Sequence, residues 1–302
     1  MGKIKLRDVW FMARDTCKEW IASDPWRLSA VVAYYAVLSL PALLVIVINI
    51  AGSVLGTDAI QGKVSDEIGK AMGSDAAKTI EIMIASASEG KKTTVATILG
   101  IATLIFGATG VFYQLQKSLN EIWDVKENPK AGIKKLIINR STGLGLIIVI
   151  GFLLLISLII SSLLTAFGNY LRGIFPDYLL TVFYLINMIV SLGIITILFA
   201  LMFKFLPDIK IKWKSIWLGS LITSLLFVTG KYVLSIYFGK ADPGSTYGST
   251  GSIILILLWV SYSCMILFFG AGFIKIYAKK FGHPVEVKKF ANKIEIIEVM
   301  KK

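Results

Sequence analysis

One histidine, two cysteines and no carboxylate inside any long apolar run set the first limits on this 302-residue chain. His283 is the only histidine and stands in the C-terminal tail, so neither an HExxH pair nor a histidine-based acid–base site can be assembled. Cys17 and Cys264, one near the start and one within an apolar run, neither pair plausibly nor make a metal-ligand spacing. A nucleotide-binding glycine loop and a clustered Asp/Glu set are missing as well. These absences predict no enzyme, no cofactor and no metal. Within the first 28 residues Arg14, Asp15, Lys18, Glu19 and Asp24 leave no uninterrupted apolar core, so no cleavable signal peptide is expected.

What is present is apolar. Hydrophobic residues make up 56% of the chain and the mean hydropathy is +0.74, beyond a soluble domain of this size. Six runs reach the roughly 20 residues that a bilayer needs. They are 29–52, 93–113, 142–166, 179–203, 215–238 and 251–273. The net charge of +13 invites a nucleic-acid reading, but its distribution argues against one. Segment by segment, the residues between the runs carry six, five, six, one, four, one and eight lysines and arginines. Short loops alternate between many and one, which places both termini in the cytoplasm. The excess charge then faces the anionic inner leaflet, so membrane lipids are the expected partners and nucleic acid is not. The oligomeric state is not legible.

The fold expected is all-α: a six-transmembrane-helix bundle spanning 29–282, with an interfacial amphipathic segment over 1–28 and a solvated basic tail over 283–302. Asp24 followed by Pro25 reads as an N-cap and first helical position. Pro41 falls in the middle of the first run, where a kink or break is expected, for packing or beside a transport site. Between runs one and two, Ile60, Val64 and Ile68 form one stripe and Ala76, Ile80, Met83, Ile84 and Ala87 a second. These predict two amphipathic extracytoplasmic helices broken near Gly73–Ser74. The second run ends FGATGVFYQLQKSLNEIWDVK over 106–126. There Gly107 and Gly110 flank small residues, so a neighbouring helix can approach closely. Gln114, Gln116 and Asn120 follow as a polar mouth, with the helix carried to about Val125. Run six ends FFGAG, an echo of FGATG.

Candidate site residues are polar groups inside the runs. Lys231 is the one charge within a span. Ser220, Ser224, Lys231 and Ser235 fall within an arc of about 60° on a helix. They read as a cation facing a cavity for an anionic head group, or as a lysine snorkelling from about 10 Å below the outer end. Asn187 and Gln114 join this substrate-binding set. Pro41, Gly107, Gly110 and Asp208 form a structural or gating set. All 19 acids lie outside the spans, which disfavours cation coupling through an intramembrane carboxylate and leaves mouth acids such as Glu121 and Asp208.

Four segments carry a family resemblance. FGATGVFYQLQKSLNEIW, LSAVVAYYAVLSLPALL at 28–44, FKFLPDIKIKWKSIWLGSLITSLLF at 203–227 and YGSTGSIILILLWVSYSCMILFFGAGF at 247–273 resemble, in order, the YihY/BrkB family of bacterial inner-membrane proteins. The resemblance runs from about Val9 to His283. It implies an inner-membrane location and activities linked to serum resistance, lipid export or cation/proton exchange, with an old ribonuclease label on some members. Together with the residues it favours a transporter of an anionic amphiphile, such as a lipid or lipid-linked molecule. A cation/proton exchanger and a structural membrane protein without substrate are the rivals.

The topology generates a direct test. With Cys17 and Cys264 replaced, single cysteines at Ser74 and Ser245 react with a membrane-impermeant thiol reagent in intact cells. One at Ser215 reacts only after permeabilisation. Labelling of the last site from outside contradicts six spans with both ends inside.

Overall fold

The structure, a computed structural model, describes residues 6–88, 94–127, 132–171, 177–241, 251–281, 285–288 and 291–293. Its helices are α1 (Leu6–Ala22), α2 (Pro25–Leu55), α3 (Thr57–Met72), α4 (Ser74–Ser88), α5 (Thr94–Ile122), α6 (Gly132–Leu171), α7 (Asp177–Phe205), α8 (Trp213–Ala241) and α9 (Gly251–Lys280). Four short strands complete it: β1 (Val125–Glu127), β2 (Ile209–Lys210), β3 (Glu286–Val287) and β4 (Ala291–Lys293). Among the described residues, four helical stretches are long and apolar enough to cross a membrane: Pro25–Asn49, Leu185–Phe205, Trp213–Lys240 and Gly251–Lys280. The runs expected at 93–113 and 142–166 lie on α5 and α6, where many side chains fall outside the described residues; Ile137–Leu153 on α6 is a shorter apolar stretch.

The long helices follow one another round a ring. α2 packs on α5, α5 on α6, α6 on α7, α7 on α8, α8 on α9, and α9 returns to α2. α2 also touches α6, so it is the element most of the others lean on. Pro41 does not interrupt it, and α2 is helical from Pro25 to Leu55. The helix starts at proline as expected, but Asp24 caps it differently. Asp24 is left-handed (φ 51°), makes no side-chain cap bond, and its carboxylate accepts from Arg27 Nε at 3.1 Å. The backbone carbonyl of Asp24 instead accepts from Leu28 N at 3.2 Å.

α3 and α4 form a hairpin about Gly73 (φ 94°), a left-handed position that suits glycine. Ile60, Ala76, Ile80 and Ile84 point inward against Leu44, Val45 and Ile48 of α2 and Leu255 and Ile256 of α9. Val64 and Ile68 pack at the edge. Ala87 lies outside the described side chains.

At the opposite end two expectations change. α5 stops at Ile122 rather than near Val125, because Asp124 turns left-handed (φ 54°) and Lys275 Nζ takes the Ile122 carbonyl at 2.8 Å. Lys275 also bonds Asp124 at 2.6 Å and Glu19 of α1, so one lysine ties α1, α5 and α9 together. The tail is not merely solvated. β3 pairs antiparallel with β2 (Ile209 opposite Val287, Lys210 opposite Glu286), and β4 pairs with β1 (Val125 opposite Lys293). This end also carries the exposed tryptophans Trp10, Trp26, Trp213 and Trp217. It is called the basic end below. Ser215, the labelling site chosen from sequence, is fully buried, so exposed Lys212 is the position to use.

Lipid tails leave no hydrophobic drive between spans, so close backbone approach matters. A Cβ on Gly107 would stand 3.5 Å from Ala42 Cβ, and one on Gly110 3.2 Å from Ser39 Oγ. The small face of α5 therefore meets α2 on either side of Pro41. The tightest approach is elsewhere, between α8 and α9. A Cβ on Gly219 would lie 2.1 Å from Ile274 Cγ1, and one on Gly270 2.0 Å from Thr223 Oγ1 and 2.9 Å from Phe203 Cζ. Overpacking of this kind costs about 1–3 kcal/mol. Gly219→Ala and Gly270→Ala are each expected to lower the thermal midpoint in detergent clearly, while Gly107→Ala leaves it near wild type. Equal midpoints for all three would show that the α8–α9 seam is not close-packed.

Candidate functional site

The strongest concentration of buried polar chemistry is built around Asp208, in the turn after α7. α7 is apolar along its length and ends at Phe205. Pro207 cannot donate a backbone hydrogen bond and ends the run, and Leu206 and Ile209 bury either side of it. The carboxylate between them is thereby carried inward and is only 3% exposed. It is the one buried acid among the described residues.

Its partners come from two other helices. Lys135 of α6, itself 6% exposed, donates to Asp208 Oδ1. Asn120 of α5 donates Nδ2 to Oδ2 at 2.9 Å and accepts the Asp208 backbone N–H on Oδ1 at 2.8 Å. Gln116 donates Nε2 to Asp208 Oδ1 at 3.3 Å and to Asn139 Oδ1 of α6 at 3.2 Å. A buried charge is tolerable only when paired and fully hydrogen-bonded, and this arrangement meets that condition.

The tail closes the cluster from outside. Lys288 N donates to the Asp208 carbonyl at 2.8 Å, and its Nζ donates to Pro207 O at 2.7 Å and Phe205 O at 3.3 Å. Burial pushes the Lys288 ammonium below the ordinary lysine value; the Asp208 charge acts against this, and Lys135 and Lys204 add to it. Lys204 Nζ caps Ile211 O at 2.7 Å. Lysines at the last carbonyls of a helix also suit its dipole.

The residues chosen from sequence divide. Asp208 is at the centre. Gln116 and Asn120, four apart on α5, share the face that meets it, whereas half-buried Gln114 lies about 160° from Gln116 round the helix. The α8 set splits into two pairs. Ser220 and Ser224 are fully buried inside the bundle. Ser224 Oγ lies 2.7 Å from Thr196 Oγ1 of α7, and Ser220 Oγ meets no partner among the described residues. Lys231 and Ser235 turn to α3: Lys231 Nζ stands 3.8 Å from Glu67 Oε2, and Ser235 Oγ donates to Lys70 O at 3.4 Å. Asn187 is half-buried on α7. Lys135, Asn139 and Lys288 had no sequence signal beyond membership of basic or polar stretches.

Two cavities accompany these groups. One of about 310 Å³ lies between the α3–α4 turn and the ends of α8 and α9, lined by Lys70, Ser74, Asp75, Ser235, Phe238 and Leu255 among others. The other, about 250 Å³, is a groove between α1, α8 and α9 formed by Trp20, Leu226, Tyr262, Met265, Ile266 and Phe269. Trp20 Nε1 is spent on Met265 O at 3.1 Å, which leaves the groove with apolar and aromatic faces and one tyrosine hydroxyl. No group of three or more His, Cys, Asp or Glu able to hold a metal occurs among the described residues.

The sequence profile of the family described as Virulence factor BrkB matches residues 16–293. The chain is 28% identical over 176 residues to a UPF0761 membrane protein of Albidiferax ferrireducens, covering 57% of this chain and 39% of that relative. It is 25% identical over 176 residues to a UPF0761 membrane protein of Verminephrobacter eiseniae, covering 58% and 40%. The match thus spans about two fifths of the length of these two relatives. A putative ribonuclease-like protein, YfkH, of Bacillus subtilis is 25% identical over 250 residues, 80% of this chain and 86% of that protein. No solved structure matches.

The two lysine pairs should respond differently to substitution. Removing one partner of a buried pair costs about 3–5 kcal/mol, whereas an exposed pair is worth about 0–1 kcal/mol. Asp208→Ala and Lys135→Ala are expected to destabilise the bundle severely in a thermal-unfolding assay. Lys231→Ala is expected to change little, Lys231→Glu to cost more through repulsion of Glu67, and Glu67→Lys to relieve that repulsion. Equal tolerance of Asp208→Ala and Lys231→Ala contradicts the buried cluster.

Proposed function

The chain belongs to the virulence factor BrkB family of membrane proteins, and from that premise we propose that it carries an anionic amphiphile, a lipid or lipid-linked molecule, across the bacterial inner membrane on a six-span bundle with both termini cytoplasmic. The observation that carries this reading is the α1–α8–α9 groove. It lies on two long apolar helices, and its lining suits a hydrocarbon chain and little else.

Carriage of an amphiphile needs a polar station at each end of an apolar path. At the α3–α4 end Lys70 and Ser235 line the 310 Å³ cavity, and Lys231 stands about one helical turn before Ser235 on α8. Lys231 is 38% exposed and paired at 3.8 Å with Glu67, its one ionic partner among the described residues, so an anionic head group can replace Glu67. At the basic end, exposed Trp10, Trp26, Trp213 and Trp217 sit among lysines and arginines, the composition of an interface that meets anionic lipid. In this reading Asp208 is a structural clasp, Ser220, Ser224, Asn187 and Gln114 tune the bundle interior, and no residue is assigned a catalytic role. The ribonuclease-like name belongs to the Bacillus relative.

A second reading, cation/proton exchange, is favoured by one observation: Asp208 is a buried carboxylate beside a lysine, a setting in which a proton and a cation could compete. One reconstitution separates the readings. Proteoliposomes holding a fluorescent anionic phospholipid are expected to show transbilayer movement above protein-free vesicles. Leu226→Trp, which fills the groove, should return that rate to the protein-free level with the thermal midpoint kept. Loss of a pH gradient on adding sodium or potassium, abolished by Asp208→Asn, would move the assignment to the exchanger. Neither activity in folded protein would leave a structural role.

A further inference from the structure

We propose that the seam between α5 and α6 binds the phosphate of an anionic phospholipid, with Arg140 as its cationic partner. The site is separate from the α1–α8–α9 groove and from Lys231, and it does not rest on the amphiphile-carriage reading.

The observation that carries this is the direction in which Arg140 reaches. A Cβ on Gly143 of α6 would lie 3.3 Å from Phe112 Cβ and 3.4 Å from Thr109 Cβ of α5. Asn139 Oδ1, one turn earlier on α6, accepts from Gln116 at 3.2 Å. The two helices therefore run antiparallel, and the Arg140 backbone stands roughly level with Tyr113. The guanidinium does not stay at that level. Its Nη1 donates to Phe106 O at 3.0 Å and to Thr109 Oγ1 at 2.9 Å, about one helical turn further from the basic end. Helical side chains lean toward their own N-terminus, which for α6 is the basic end, and long cations beside apolar surface turn their heads toward water. Arg140 does neither. It carries its charge to the level of Phe106, within the apolar run 93–113.

The surroundings orient the guanidinium and leave part of it open. Its central carbon lies 4.0 Å from the centroid of the Phe106 ring and 5.6 Å from that of Tyr113, distances at which aromatic faces attract a cation. Phe106 is 64% exposed and Ile137, one turn from Arg140, is exposed as well, so the stack lies on the outer surface of the bundle, where lipid is the neighbour. Of the five guanidinium N–H groups, the two on Nη1 are spent on α5. Nε is buried and has no partner among the described residues, whereas Nη2 is not enclosed. Lys135, Lys231 and Lys275 each face a carboxylate, while neutral oxygens and rings take that place around Arg140. A cation held in apolar surroundings is costly until an anion joins it, and the planar fork matches two oxygens of a phosphate. A lipid with a net charge of −1 meets this need better than a zwitterionic one, which brings its own cation.

The test is native mass spectrometry of the full chain in detergent, titrated with phosphatidylglycerol, phosphatidylcholine or inorganic phosphate, with thermal midpoints measured on the same samples. Wild type is expected to retain phosphatidylglycerol in preference to phosphatidylcholine and to melt higher with it. Arg140→Gln should lower that preference about tenfold, the worth of one charge-assisted hydrogen bond, while Lys63→Gln, which removes an exposed charge from α3, leaves it unchanged. Arg140→Lys keeps the charge without the fork and should fall between. If Arg140→Gln does not fold, Arg140→Lys decides: a lowered preference with the lipid-free midpoint kept supports the site, and a wild-type preference overturns it. Equal retention of the two lipids by wild type overturns the proposal, as does a preference that survives in folded Arg140→Gln. Displacement of the lipid by inorganic phosphate assigns the site to a soluble anion and overturns the lipid partner. Lipid movement and its loss in Leu226→Trp are read separately, so either proposal can fail alone.

Discussion

A carboxylate removed from water must be neutralised where it stands, and the basic end of this protein is arranged around that requirement. Asp208 cannot reach solvent from its turn, so α6 supplies Lys135, α5 supplies two amides, and the tail bonds the turn carbonyls. Each donor fixes the helix that bears it. The α7–α8 turn is thereby located against α5 and α6 by directional bonds, which apolar contact in a membrane cannot do alone.

The rest of the bundle relies on proximity. Where the side chains of Ile274 and Thr223 lie against the bare backbone of Gly219 and Gly270, α8 and α9 are close-packed, and α7 joins them through Phe203 against Gly270 and the Thr196–Ser224 contact. Beside these helices lie the groove that Trp20 lines and the half-exposed Lys231–Glu67 contact. Candidate sites of action fall at these boundaries between close-packed and loosely held elements, where a rearrangement costs least.

Much of the fold was legible because its determinants are local. Apolar length marked the long helices, stripes at 60/64/68 and 76/80/84 marked the hairpin, and Gly107–Gly110 marked a close approach, found against Ser39 and Ala42. What escaped depended on partners far along the chain. Lys231 read as a lone charge because its acid, Glu67, is 164 positions away on another element. Gln114 and Gln116 are the same residue type two positions apart in one polar mouth, and only the latter shares the Asn120 face. Lys135 looked like any member of a basic loop. The tail read as solvent-exposed because strands of two and three residues have no periodicity to detect.

One feature of the ring bears on how the protein is made. α1 and α2 emerge before α9, yet both pack on it, and the Trp20 indole donates to Met265 O, 245 residues later. Lys275 likewise supplies the charge for Glu19 and the cap for α5 after nearly the whole chain exists. The first helices must therefore wait in the bilayer with an unfilled face while the others insert. A chain truncated before α9 would leave that face open to lipid, and the thirty residues of α9 decide whether the helices synthesised earlier become a closed structure.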